Sequence, residues 1–281
     1  MEQRTQRVER DGVGLHVVDT GDVDAPTVLL VHGWPDSHRL WRNQVPALVD
    51  AGYRVVAHDQ RGMGASGVPA AAGGSHVKQA TLDALAVLDA LDVERAHVVG
   101  HDWGAAVAWG LAAHGGPARV RSLTALAVGH PGTSDRLDVR QRELSWYMLL
   151  FQFADVAERW LAEDDWAGLR ALTRDHAELD AWVTDLGRPG RLTAALAWYR
   201  DNLHPRGLLR DGPALPPVQV PALGVAGADD VLLAPSQMRR SRPFCAAGWR
   251  YEELPGAGHW LPLDRPDVVT GLVLEHLRAQ H

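Results

Sequence analysis

The chain has 281 residues, enough for one large core or for one core with an inserted layer, and its 46% hydrophobic and 22% charged content excludes a disordered chain. Its 28 basic and 35 acidic residues give a formal net charge of -7 without a basic cluster, so nucleic-acid binding has no electrostatic support. The single cysteine, Cys245, cannot form an intrachain disulfide, and no apolar run approaches the ~20 residues that a membrane span needs.

In chain order, Met1 to Asp11 is polar and lacks the apolar segment of a secretory signal, so a cytoplasmic location is expected. Val13 to Asp19 reads as a strand, and Thr27 to Val31 (TVLLV) as a buried one. Tyr53 to His58 is another. The Ala/Gly patch Ala70 to Gly74 reads as a loop, and lysine occurs once, at Lys78, a hint of a GC-rich bacterial genome. Gln79 to Leu91 sets Leu82, Leu85, Leu88 and Leu91 at helical spacing. Ala96 to Gly100 (AHVVG) is a strand that feeds directly into a helix, Trp103 to His114. Further strands are expected at Leu123 to Val128, Val220 to Ala226 and Arg250 to Leu254, and Asp267 to Arg278 is a closing helix. Buried strands alternating with helices define an α/β class with a mostly parallel central sheet flanked by helices.

The alternation stops between Thr133 and Pro217. That stretch carries Trp146, Trp160, Trp166, Trp182 and Trp198 with helical periodicity and ends in a Pro-rich connection, Pro213 to Pro221. The expected organisation is a core in two parts, 1–132 and 218–281, around an inserted helical layer, 133–217.

The strand AHVVG runs into Gly100-His101-Asp102-Trp103-Gly104-Ala105. Glycines two before and two after a central residue suit a sharp strand-to-helix turn that lifts its side chain above the sheet, at a helix N-terminus. The central residue is Asp102. A carboxylate attacks a saturated carbon and leaves an alkyl ester that water cleaves at the aspartyl carbonyl, whereas a serine would leave a resistant ether. The residue type thus narrows the electrophile to epoxides or alkyl halides; the plainer reading is a helix N-cap. Ester hydrolysis needs a base and an orienting acid. His259, in Gly256-Ala257-Gly258-His259-Trp260 after the last strand, is the expected base. After the preceding strand stand Asp229 and Asp230, and spacing alone does not choose between them.

These residues resemble the α/β-hydrolase superfamily and, within it, the soluble epoxide hydrolases of bacterial type, over nearly the whole chain. His32-Gly33-Trp34-Pro35-Asp36-Ser37 is similar to the family's oxyanion loop. Asp59-Gln60-Arg61-Gly62-Met63-Gly64-Ala65-Ser66 is similar to its DxRGxGxS turn, and Gly258-His259-Trp260 to its histidine loop. The resemblance implies Asp230 as the acid, three residues after Gly227. It also implies a helical cap with two tyrosines that hold the epoxide oxygen: Tyr147, in Ser145 to Gln152, and Tyr199, in Ala197 to Asn202. The backbone N–H groups of Trp34 and Trp103 would form the oxyanion hole, with both indoles lining the pocket beside Tyr147 and Tyr199. His32 and Pro35, the latter as a cis proline, would brace that loop, while Asp59, Arg61 and Gly64 order a neighbouring turn. Where the family continues with Pro-Gly after Gln152, this chain reads Phe153-Ala154-Asp155, so the cap junction and substrate preference are expected to differ.

The implied reaction converts an epoxide and water to a vicinal diol. It calls for no metal and no organic cofactor, nucleic acid or membrane span, and a homodimer is compatible with it. The nearest rival is a haloalkane or haloacid dehalogenase with the same Asp nucleophile. It has Asn or Glu where Trp34 stands, or Arg where Trp103 stands, and needs N–H donors for a halide in place of phenols. A non-catalytic ligand-binding protein on the same fold is a second alternative. The complete set of nucleophile, base, acid and tyrosines argues against it.

Overall fold

A computed structural model of the chain describes residues 3–70, 73–133, 138–203 and 215–280. Eight strands form one sheet in the order β1-β2-β4-β3-β5-β6-β7-β8, where β1 is Gln3–Arg10, β2 Val13–Thr20, β3 Thr27–Val31, β4 Arg54–His58, β5 Ala96–His101, β6 Val120–Leu126, β7 Ala222–Gly227 and β8 Trp249–Leu254. The β1–β2 and β2–β4 pairs are antiparallel and the rest are parallel. Every residue of β3, β4 and β5 is buried, as befits parallel strands covered on both faces by helices. This is the α/β layout that the alternation of elements led us to expect.

The expected strands all exist, most with ends within two residues. The exception is β6, which starts three residues earlier than Leu123 and ends at Leu126, because Ala127 turns into the left-handed region (φ 69°) and takes Val128 out of the sheet. Strand β1 lies in the stretch Met1 to Asp11, read only as polar. It is an edge strand with one buried residue, Val8, and so shows no apolar alternation. Asp11-Gly12, with φ of 50° and 73°, closes the β1–β2 hairpin as the primed turn that such a dipeptide favours.

Helices α1 (Gln44–Asp50), α2 (Val77–Ala90) and α3 (Trp103–Arg119) belong to the first half of the core. The leucine row of α2 is only partly buried: Leu82 is exposed and Leu85 half-buried, while Leu88 faces inward with Ala80, Ala84 and Val87. Small residues there allow close packing on α3, where even a Cβ on Gly110 would meet the Thr81 hydroxyl at 2.8 Å. Between β6 and β7 the described residues hold helices and no strand: α4 (Val139–Leu144), α5 (Trp146–Leu150), α6 (Val156–Thr173, broken at Glu163–Trp166), α7 (Leu179–Leu186) and α8 (Arg191–Asn202). Residues 71–72 of the Ala/Gly loop and 213–214 of the Pro-rich connection lie outside the described residues. Helices α9 (Pro235–Arg239), α10 (Leu261–Asp264) and α11 (Pro266–Arg278) complete the fold. Among the described residues no helix is long and apolar enough to cross a membrane.

Candidate active site

The parallel strands present their C-terminal ends on one edge of the sheet, where open α/β sheets gather functional groups. Asp102 sits between β5 and α3 with φ 53° and ψ -122°, a conformation non-glycine residues rarely adopt. The flanking glycines make this turn feasible: a Cβ on Gly100 would lie 2.2 Å from the Gly104 carbonyl oxygen, and one on Gly104 only 2.0 Å from that of Val31. Although Asp102 occupies the N-cap position, its side chain makes no capping hydrogen bond. Its Oδ1 instead accepts the Trp34 N–H at 2.8 Å. Burial opposes a charge on Asp102, but His259, aided by His101 and the Trp103 N–H, outweighs it and holds the carboxyl below its ordinary range.

The other oxygen, Oδ2, lies 3.5 Å from His259 Nε2. On the opposite side of that ring, His259 Nδ1 donates to Asp230 Oδ2 at 2.8 Å. Asp230 Oδ1 accepts the N–H groups of Leu232 and Leu233 at 2.8 and 2.9 Å, which fixes the carboxylate in place. The adjacent Asp229 is exposed and takes no part in this contact. Burial disfavours a charged His259. The two carboxylates prevail and push its pKa up to about 10, so the resting site is an Asp–His⁺–Asp array.

Tyr147 and Tyr199 come from α5 and α8 and are both buried, with ring centres 6.0 Å apart. The Tyr199 ring packs edge-on against Trp34, Trp103 and Phe151. Burial, reinforced by the negative charge of Asp102, raises both phenols well above their ordinary value and keeps them protonated. The structure therefore brings together all seven residues expected at the site.

The surrounding loops are held as the motifs suggested. The Trp34–Pro35 peptide is cis. His32 is buried, with Nδ1 bonded to the Gly33 carbonyl at 2.9 Å and Nε2 accepting the Gln60 N–H at 2.9 Å. Burial depresses its pKa to about 4, so it braces the loop as a neutral ring. Asp59 accepts from His38 and Ala65, while Arg61 forms a bidentate pair with Asp83 on α2.

Sequence reasoning missed several supporting contacts. Gln152 Nε2 donates to the Tyr199 carbonyl at 3.1 Å, and Arg200 Nε to that of Phe151 at 2.9 Å, so the two tyrosine-bearing segments are laced together. Arg200 also forms a bidentate pair with Glu158, 2.8 Å on each arm. In place of Pro-Gly, the junction turns at Asp155, which has φ 64° and leads into α6. Asp36 accepts the Trp182 indole N–H at 3.2 Å and joins the oxyanion loop to α7. His101 Nε2 bonds the His259 carbonyl at 2.9 Å. Gln152 and Arg200 stood within the quoted segments, but their partners are set by packing between helices and carry no local signal.

A strand-elbow aspartate, a histidine on the following loops and an inserted helical layer on a mostly parallel sheet define a hydrolase of the α/β type. The chain belongs to the alpha/beta hydrolase fold family, whose pattern matches residues 26–266. It is 33% identical to the AB hydrolase superfamily protein YfhM of Bacillus subtilis, covering 99% of both chains. It is also 33% identical to epoxide hydrolase A of Mycobacterium tuberculosis, covering 96% of both. Among solved structures, epoxide hydrolase A of Mycobacterium thermoresistibile superposes with a TM-score of 0.80 at 31% identity, covering 100% of this chain and 99% of that one. An epoxide hydrolase of Bacillus megaterium with a bound inhibitor gives 0.87 at 25% identity, covering 97% and 100%.

Proposed function

We propose that the chain is an epoxide hydrolase that converts an epoxide to a vicinal diol through an alkyl ester on Asp102. The observation that carries this reading is the pair of buried, protonated phenols, Tyr147 and Tyr199, facing the charge of Asp102. An epoxide oxygen gains negative charge as its C–O bond breaks, and two positioned O–H donors stabilise it there. The two relatives named as epoxide hydrolase A support the same substrate class.

In the first step Asp102 Oδ2 bonds to an epoxide carbon, the C–O bond opens, and a tyrosine delivers a proton to the departing oxygen. Oδ1 stays on the Trp34 N–H throughout. Alkylation removes the charge of Asp102, one of the two that hold the proton on His259. The histidine can then lose its proton to the tyrosinate and serve as base. Oriented by Asp230, it draws a proton from water, and the water oxygen adds to the aspartyl carbonyl carbon. Oδ1 becomes the oxyanion between the Trp34 and Trp103 N–H groups, where one such donor is worth ~2.7–4 kcal/mol. Collapse breaks the bond from the aspartyl carbon to Oδ2, protonated His259 gives that oxygen a proton and regains one from the added hydroxyl, and the diol leaves with Oδ2 while the water oxygen stays on the Asp102 carboxylate. A helical cap of 133–217 closes the pocket in this scheme.

A panel of styrene-like, aliphatic and fatty epoxides with diol detection tests the proposal; no diol from any of them would end it. One observation favours the rival reading as a second activity. The indole N–H of Trp34 is buried without a partner, and indoles serve as halide donors. Halide release from chloroalkanes, assayed beside the epoxides, decides which chemistry dominates. A cytoplasmic location and a homodimeric assembly belong to the same proposal, and fractionation and light scattering test them.

A further inference from the structure

Away from the proposed catalytic groups, His16 of β2, His38 of the segment after the oxyanion loop, and Asp59 at the end of β4 converge. One ring nitrogen of each histidine and one oxygen of Asp59 lie within 4.8 Å of one another. We propose that these three residues form a binding site for a divalent first-row transition ion such as Zn²⁺.

The chemistry suits the ion. Two imidazoles and a carboxylate are a ligand set that Zn²⁺, Ni²⁺ and Co²⁺ accept. His38 Nδ1 and Asp59 Oδ1 are 2.8 Å apart. Two ligands at ~2.1 Å from a tetrahedral ion stand about 3.4 Å apart, so this pair has to open by about 0.6 Å to take one. The ion takes the place of the hydrogen that now lies between them. Asp59 keeps its other partners, the His38 N–H on Oδ1 and the Ala65 N–H on Oδ2. The imidazole of His16 must swing in by about 1–2 Å to complete the set. Its half-buried position leaves room for that movement.

The frame behind the ligands is already built. The Asp59 N–H donates to the His16 carbonyl at 2.9 Å. The His16 N–H donates to the Ser66 hydroxyl at 2.9 Å, and that hydroxyl donates to the Asp59 carbonyl at 2.6 Å. Such backing orients metal ligands. Two cations stand nearby: Arg7 faces His16 across the β1–β2 ladder, but its guanidinium is turned to Glu9 and the Gly14 carbonyl, and Arg191, which feels the charge of Asp59, donates to the Ser66 carbonyl. The site was invisible in the sequence because residues 16, 38 and 59 have no ligand-like spacing and meet only through the sheet order. Its consequence is local. His38 lies four residues beyond Trp34, whose N–H holds Asp102, so a bound ion would pin the far end of the oxyanion loop to β2 and β4.

The test is calorimetric titration of Zn²⁺ into the tag-free full chain, wild type against H16Q and H38Q, with melting temperature followed in parallel. We expect one strongest site per chain, weakened about tenfold or more in each variant. A rise in melting temperature with Zn²⁺ should be present in the wild type and lost in both variants. Because substitution of His38 disturbs Asp59 as well, H16Q alone suffices to decide. Visible bands of bound Co²⁺ that vanish in H16Q give a second, fold-independent readout. A strongest Zn²⁺ site of unchanged affinity in H16Q, or no site in the wild type at all, overturns the proposal.

Discussion

At the scale of single residues, the proposed chemistry divides among groups whose removal has separable effects. Asp102→Asn keeps the shape of the elbow and removes the nucleophile, so diol formation should fall by about 10⁴-fold or more with the melting temperature little changed. His259→Gln should allow the ester to form and block its hydrolysis. Incubation with an epoxide would then leave a stable adduct on the Asp102 peptide by mass spectrometry, and an unmodified peptide would contradict the division of labour. Tyr147→Phe and Tyr199→Phe should each lower kcat on the order of 10²-fold, and the double variant further, as two donors to one developing oxyanion require. Asp102 was legible in the sequence because glycines on both sides of it at a strand end leave a local trace, and His259 because it follows a Gly-rich turn after the last strand. The choice of Asp230 over Asp229 was not legible from spacing. It depends on which carboxylate the β7 loop turns toward His259, and on the Leu232 and Leu233 N–H groups that hold it there.

At the scale of elements, the positions of Tyr147 and Tyr199 depend on how α5 and α8 are joined to each other and to the core. Helix α8 is anchored by the Trp198 indole on the Arg61 carbonyl at 3.0 Å, and by Asp201 and Asn202 on the Ser75 and Val77 N–H groups, both at 2.8 Å. Gln152 and Arg200 then tie α5 to α8. Gln152→Ala should therefore lower kcat about 10- to 100-fold through misplaced phenols. Arg200→Lys, which loses the bidentate grip on Glu158, should act in the same direction. Normal kcat in both variants would show that the lacing does not matter. The helical periodicity of the stretch and its lack of a clear strand foretold the helical character of this layer. It could not foretell the lacing, or the turn at Asp155 that stands in for Pro-Gly. For α2 the leucine spacing marked the helix but not its full inner face, which adds Ala80, Ala84 and Val87 to Leu88 and leaves Leu82 exposed.

At the scale of the whole molecule, the buried histidines set how stability follows pH. His259 is raised to about 10 in the fold, so its stabilising contribution is complete below the unfolded value near 6.5 and is lost as pH climbs through 10. His101 and His130 go the other way. Burial, joined at His101 by the charge of His259, lowers both to about 4, so the unfolded chain takes up protons first and stability falls as pH drops from 6.5 toward 4. The melting temperature should thus be highest near neutrality and decline on both sides, with the alkaline decline flattened in His259→Gln. An alkaline limb unchanged in that variant would contradict the assignment. The sheet itself was largely legible, because strands buried on both faces leave unbroken apolar runs. The solvent-facing hairpin strand β1 left none, and only its Asp11-Gly12 turn marked it.

The most direct measurement is a single turnover of an epoxide by excess enzyme in heavy-oxygen water, followed by mass analysis of the diol and of the peptide carrying Asp102. The account predicts an unlabelled diol and one heavy oxygen on Asp102, because the product leaves with Oδ2 and water replaces it. A labelled diol from that first turnover, with Asp102 unlabelled, would mean that water attacks the epoxide directly and that no ester forms.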